Sequence, residues 1–150
     1  MPLKLLIIHS DDLFRGHLSE RMRLESYLVS EAPPEAVASG IIQGGNFDVV
    51  LLGVPGPYQN GLSLLKKIKE LRPNTEVILL TAVEEHSLYG SIQAMRLGAF
   101  DDLLVPLDIQ TLHSRIREAY KRKKEKSKAK RSPVGEGRKS PCAPDAGAAR

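Results

Sequence analysis

The chain has 150 residues, which is room for one domain with a single core and some residues to spare. Its apolar fraction of 41% and charged fraction of 27% are those of a soluble globular protein, and the lone Cys142 excludes an internal disulfide. No apolar run approaches the roughly 18 residues a membrane span needs. Only four apolar residues separate Lys4 from His9, so no signal-peptide pattern is present, and a cytoplasmic location is expected. The net charge of +4 hides an asymmetry. Residues 1–120 carry 11 Lys/Arg against 15 Asp/Glu, a net of −4, which leaves +8 on residues 121–150. Two units are therefore expected: a mildly acidic folded domain over 1–120 and a basic, mostly disordered tail over 121–150.

Leu3–Ile8 is an apolar run short enough for a central strand. Leu13, Phe14, Leu18 and Met22 then recur at helical spacing among charged residues, and Asp11 and Asp12 stand where carboxylates cap a helix start. Tyr27–Val29 predicts a short second strand, and Pro33-Pro34-Glu35 opens a second helix that Gly44-Gly45 closes. Phe47–Leu52 reads as a buried strand ending on Gly53. The stretch from Val54 to Gly61 is broken by proline and glycine. Leu62, Leu65, Ile68 and Leu71 mark a third helix, Thr75–Thr81 a fourth strand, and Ser87–Leu97 a helix with Gly98 at its C-terminal cap. Asp102–Val105 is the last strand, and Asp108 caps a helix with Ile109, Leu112, Ile116 and Ala119 on its apolar face.

Five strands alternating with five helices predict an α/β fold: a doubly wound parallel sheet, flavodoxin-like, with helices on both faces. Sites in such sheets lie outside the carboxyl ends of the strands, near the switch in strand order. That directs attention to His9, Ser10, Gly53, Thr81 and Val105.

The segments Leu5–Arg15, Leu51-Leu52-Gly53 with Pro57 and Gly61, Val77–Ala82, Gly98–Asp101 and Val105–Asp108 together resemble the strand-end signatures of a response-regulator receiver domain, over residues 3 to about 120. The resemblance implies a two-component, phosphorelay signalling role. In that family an aspartate ends the third strand and accepts a phosphoryl group. Two acidic residues after the first strand hold Mg²⁺, a hard cation that takes oxygen ligands and neutralises charge during the transfer. A lysine after the fifth strand pairs with the phosphoryl oxygens, and a Thr or Ser after the fourth reads out the state.

Matched to this pattern, the phosphoacceptor position is Gly53, the lysine position is Val105 and the aromatic switch position is Asp102. Asp11-Asp12 imitates the acidic pair, but the strand and Arg15 place that pair at His9 and Ser10. Only Thr81 keeps the family's residue type. A degenerate pseudo-receiver is therefore expected, with no catalytic residue, metal or other cofactor, working by binding a signalling protein.

Other readings compete with it. His9 beside Ser10 suggests a nucleophile and base, but strand neighbours point to opposite faces and no third group is identifiable to orient the ring. The Gly53–Gly61 loop has no phosphate-cradling pattern, and flavin binding lacks a hydroxyl-rich loop. By analogy with the family, the partner surface would include Tyr89, Gln93, Arg96, Asp102, Leu107 and Arg115. The run Lys121, Arg122, Lys123, Lys124, Lys126, Lys128, Lys130 and Arg131 holds eight bases and one acid, Glu125. It could continue the last helix for a turn or two, and is either a solvated tail or an element for non-specific attachment to nucleic acid or another anionic surface. A conventional phosphorylated regulator with an unforeseen acceptor is the remaining alternative.

Overall fold

A computed structural model describes the backbone of residues 2–131 and the side chains of residues 2–126. Strands β1 (Lys4–His9), β2 (Leu28–Ala32), β3 (Val49–Gly53), β4 (Glu76–Ala82) and β5 (Asp101–Val105) form one sheet in the order β2-β1-β3-β4-β5, every pairing parallel. The three central strands are apolar on both faces because helices cover both. Leu5, Ile7, Val49, Leu51 and Ile78 pack against α1 (Asp12–Arg23) and α5 (Ile109–Arg131). Their alternates Leu6, Ile8, Val50, Leu52 and Val77 pack against α2 (Ile41–Gly44), α3 (Tyr58–Leu71) and α4 (Leu88–Arg96). Full burial of such a side chain is worth about 1.5–3 kcal/mol, so these strands hold the domain together.

The caps expected at Asp11, Gly98 and Asp108 form: Asp11 accepts from the Leu13 and Phe14 amides, Asp108 accepts from Thr111 N, and Gly98 ends α4 at φ 101°. Ser87, not singled out in the sequence, also caps by accepting from Gly90 N, whereas Asp12 makes no cap bond. Asp12 pairs with Arg15 at 2.6 Å. Leu13 departs from the expected apolar face of α1 and is exposed, while Leu18 and Met22 are buried. The expected second helix is broken into a 3-10 turn over Pro34–Val37 and the single turn α2. Gly40, at φ 91°, adopts a left-handed conformation between them, which helix cannot continue through.

At the other end of the chain, α5 does not stop near Tyr120. It runs to Arg131, eleven residues into the expected tail. Residues 132–150, assigned above to a disordered tail, lie outside the described residues, as do the side chains of Lys128, Lys130 and Arg131.

Candidate functional site

The strand order reverses between β1 and β3, and there His9 and Gly53 are register partners at the carboxyl edge. Thr81 lies one residue before the end of β4, Val105 ends β5, and Ser10 follows β1. The five positions read from the sequence thus line one edge. A Cβ built on Gly53 would stand 2.4 Å from His9 Cδ2, 2.9 Å from Nε2 and 3.4 Å from the Leu80 carbonyl oxygen. The imidazole therefore occupies the space a side chain at 53 would need. It is fixed there: Nδ1 accepts from the Asp11 amide at 3.0 Å, and the ring lies 4.6 Å from the Phe14 ring.

Burial holds the His9 imidazole below its ordinary pKa; Asp11 opposes that shift and Arg15 adds to it. The folded chain therefore binds the proton less readily than the unfolded one. The stability this supplies is fully present above the ordinary value of 6.5 and is lost as pH falls from there toward the folded value. His9→Gln should flatten the decline in unfolding midpoint below that pH, measured by denaturant titration at several pH values.

A Mg²⁺ ion of the family's kind does not fit these residues. Gly53 and Val105 bring no oxygen side chain, and the nearby carboxylates have other partners: Asp11 caps α1, Asp12 pairs with Arg15, and Asp102 accepts from Thr81 and Tyr58. Among the described residues no three His, Cys, Asp or Glu side chains converge as a metal cluster. Nor is Ser10 activated: it is exposed, and no hydrogen bond joins it to the imidazole among the described residues.

Thr81 has acquired a different partner. Its hydroxyl donates to Asp102 Oδ1 at 2.6 Å, and the Tyr58 hydroxyl donates to Oδ2 at 2.6 Å. Burial, followed by the bond to Asp102, pushes the Tyr58 phenol up to about 12, so it stays a donor throughout the physiological range. The Tyr58 ring also lies flat against α4, where a Cβ on Gly90 would stand 2.3 Å from its Cδ2. One carboxylate on β5 thereby ties β4 to the start of α3 and, through the Tyr58 ring, to α4. Nothing in the sequence flagged Tyr58, which is 44 residues from Asp102.

The surface suggested by topology divides accordingly. Tyr89 and Arg96 are exposed and Gln93 is half-buried. Leu107 packs against the core, Arg115 pairs with Asp101 at 2.7 Å, and Asp102 is taken up by Thr81 and Tyr58. Sequence reading missed the apolar face beside them: Leu88, Ile92 and Met95 on α4 with Leu104 on β5, all exposed. The repeat at 88, 92 and 95 was available as a signal.

The basic run is sorted by the helix it belongs to. Leu112, Ile116 and Ala119 face the sheet, and the same stripe continues at Lys123 and Lys126. Lys123 Nζ meets Asp48 Oδ1 at 2.6 Å, while Asp48 Oδ2 accepts from the Lys4 amide. Lys126 Nζ lies 3.1 Å and Arg122 Nε 3.5 Å from Glu76 Oε2. Glu76 is fully buried, and neither carboxylate oxygen has a hydrogen bond of good geometry, so these two cations, with Lys69 nearby, offset its charge. Arg122 also lies over the Phe100 ring at 5.6 Å. Three of the eight bases expected to meet polyanions are therefore held by the domain itself, whereas Lys121 and Lys124 are exposed.

No helix among the described residues is long and apolar enough to cross a membrane. Residues 5–117 match the response regulator receiver domain family. The transcriptional regulatory protein BasR of Escherichia coli is 28% identical over 80% of this chain and 53% of its own length. A protein-glutamate methylesterase/protein-glutamine glutaminase of Pseudomonas aeruginosa is 32% identical over 71% of this chain but 31% of its own length. The chain thus spans about half of the first relative and under a third of the second. Among solved structures, a receiver domain protein from Clostridium thermocellum superposes with a TM-score of 0.72 at 28% identity, covering 82% of this chain and 98% of that one. A CheY-like receiver domain protein from Methanospirillum hungatei does so at 0.75 and 23%, covering 84% and 99%. With the family match over residues 5–117 and the strand order in agreement, the chain belongs to the response regulator receiver domain family.

Proposed function

We propose that this chain is a degenerate receiver: a signalling module that binds a protein partner and carries out no phosphoryl transfer at its strand ends. The observation that carries the reading is the complementarity of His9 and Gly53. The imidazole fills the acceptor's space, so the site has been repacked and not merely stripped of one carboxylate. The loss of the lysine at Val105 and the capture of Thr81 by Asp102 support it further. A hydroxyl already donating to a fixed carboxylate has no free proton for a phosphoryl oxygen.

The protein partner would meet the apolar face of α4 and β5, where Leu88, Ile92, Met95 and Leu104 stand exposed beside Tyr89 and Arg96. The Tyr58–Asp102–Thr81 link holds that face in one arrangement. On this reading partner binding is constitutive, not switched by phosphate, and the module is not an enzyme. Calorimetric titration with Mg²⁺ tests the site: no saturating heat is expected up to millimolar metal. A stoichiometric Mg²⁺ site abolished by His9→Ala or Ser10→Ala would overturn the reading.

A further inference from the structure

At the opposite end of the sheet, an open cavity of about 1130 Å³ lies between the α1–β2 turn and the outer face of α5. Its wall is one helical stripe. Arg117, Lys121 and Lys124, at i, i+4 and i+7, share a face of α5 and span about 10 Å at 1.5 Å per residue. All three are exposed, and none is in an ion pair among the described residues; Lys124 only rests over the Tyr120 ring at 5.2 Å. Lys123 also lines the cavity but is held by Asp48, as Lys126 is by Glu76, so among the described residues Arg117, Lys121 and Lys124 are the lining cations without an acid partner.

The floor is ordered and neutralised. The Tyr27 hydroxyl lies 2.7 Å from His113 Nδ1, and His113 Nε2 lies 3.7 Å from Glu25 Oε1. Burial raises the Tyr27 phenol above its ordinary range, with Arg117 opposing and Glu25 adding, so the phenol stays protonated where it shares a hydrogen bond with Nδ1. His113 thus stands between Tyr27 and Glu25, and Asp48, the other acid on this side of the cavity, is paired with Lys123 at 2.6 Å. Ser26, a non-glycine residue at φ 70°, makes the turn that sends Tyr27 inward beneath the cavity.

We propose that this cavity is a binding site for a small oligophosphate, free or carried by a nucleotide, with Arg117, Lys121 and Lys124 as its ligands. Arg117 supplies the planar fork suited to a phosphoryl group, and the two lysines supply point charges farther along the same line. The concave shape suits a short ligand. Glu118 and Glu125 also line the cavity, Glu118 paired with Arg115, and a long polyanion laid along the helix would have to pass both. The site is independent of the His9–Gly53 edge and of the function proposed for it.

The test is calorimetric titration of the full chain with inorganic tripolyphosphate in metal-free buffer, repeated with ATP and with an unrelated DNA duplex. One saturable site per chain is expected, weakened at least tenfold in R117Q/K121Q/K124Q and unchanged in K66Q/K67Q, which removes charge from α3 instead. Ser114→Glu, which adds a negative charge to the same stripe, should weaken binding as well and guards against a misfolded triple variant. ATP binding as tripolyphosphate does identifies the phosphate chain as the recognised part; much tighter ATP binding lost in the triple variant assigns the site to nucleotides. Absence of saturable binding at millimolar tripolyphosphate, equal loss in K66Q/K67Q, or tighter binding of the duplex than of either small ligand would overturn the proposal.

Discussion

A chain ending at Tyr120 should be less stable than one ending at Arg131 by about 3 kcal/mol, with a thermal midpoint roughly 10 °C lower. Among the described residues the truncation removes no apolar core side chain. It removes Arg122 and Lys126, the two cations beside the fully buried Glu76, and Lys123, the partner of Asp48. A buried carboxylate that loses two of its three neighbouring cations, keeping Lys69, retains its desolvation cost and loses part of its compensation. Glu76→Gln in the truncated chain should recover part of the loss, because the amide carries no charge to bury. Urea denaturation of the four proteins, both lengths with either residue at 76, measures this as a coupling energy. Equal stability of the two lengths would mean that the basic segment is not part of the folded domain.

Placing an aspartate at Gly53 should both destabilise the domain and fail to create an acceptor. The new Cβ would come within 2.4 Å of the His9 ring, and overpacking of this kind costs about 1–3 kcal/mol. His9→Asp in the same chain should relieve the clash, so the two substitutions together should be less harmful than their separate effects added. Phosphoryl transfer should return only when Ser10→Asp and Val105→Lys are also present, since charge neutralisation by metal and lysine is what the transfer requires. Efficient Mg²⁺-dependent labelling of the single variant Gly53→Asp would show that residues other than these form the site.

Much of the fold could be read from the chain because its signals are local and repeated. The apolar runs of β1, β3 and β4, the caps at Asp11 and Asp108, and the stop at Gly98 each act within a few residues. The strand-end positions could be read for the same reason. What escaped depends on distant pairs. The breaking of the second helix at Gly40 turns on a left-handed residue that its neighbours do not announce. Tyr58 and Asp102 meet only because α3 and β5 converge. By composition the basic run reads as solvated. Its docking became visible only with Asp48 and Glu76 at the starts of β3 and β4, although the 112–116–119–123–126 stripe was there to be followed. His9 and Gly53 could each be identified as departures from the family pattern, but not their fit to one another, which is a matter of 2.4 Å between adjacent strands.

Intact-mass spectrometry of the unmodified chain after incubation with acetyl phosphate and Mg²⁺ bears most directly on the degenerate-receiver account. The four-residue variant with Asp at 9, 10 and 53 and Lys at 105, treated identically, shows that the conditions support transfer. The unmodified folded chain should show no phosphoryl adduct while the variant is labelled. A stable adduct on the unmodified chain, mapped by proteolysis to a residue at the carboxyl edge of the sheet, would contradict it.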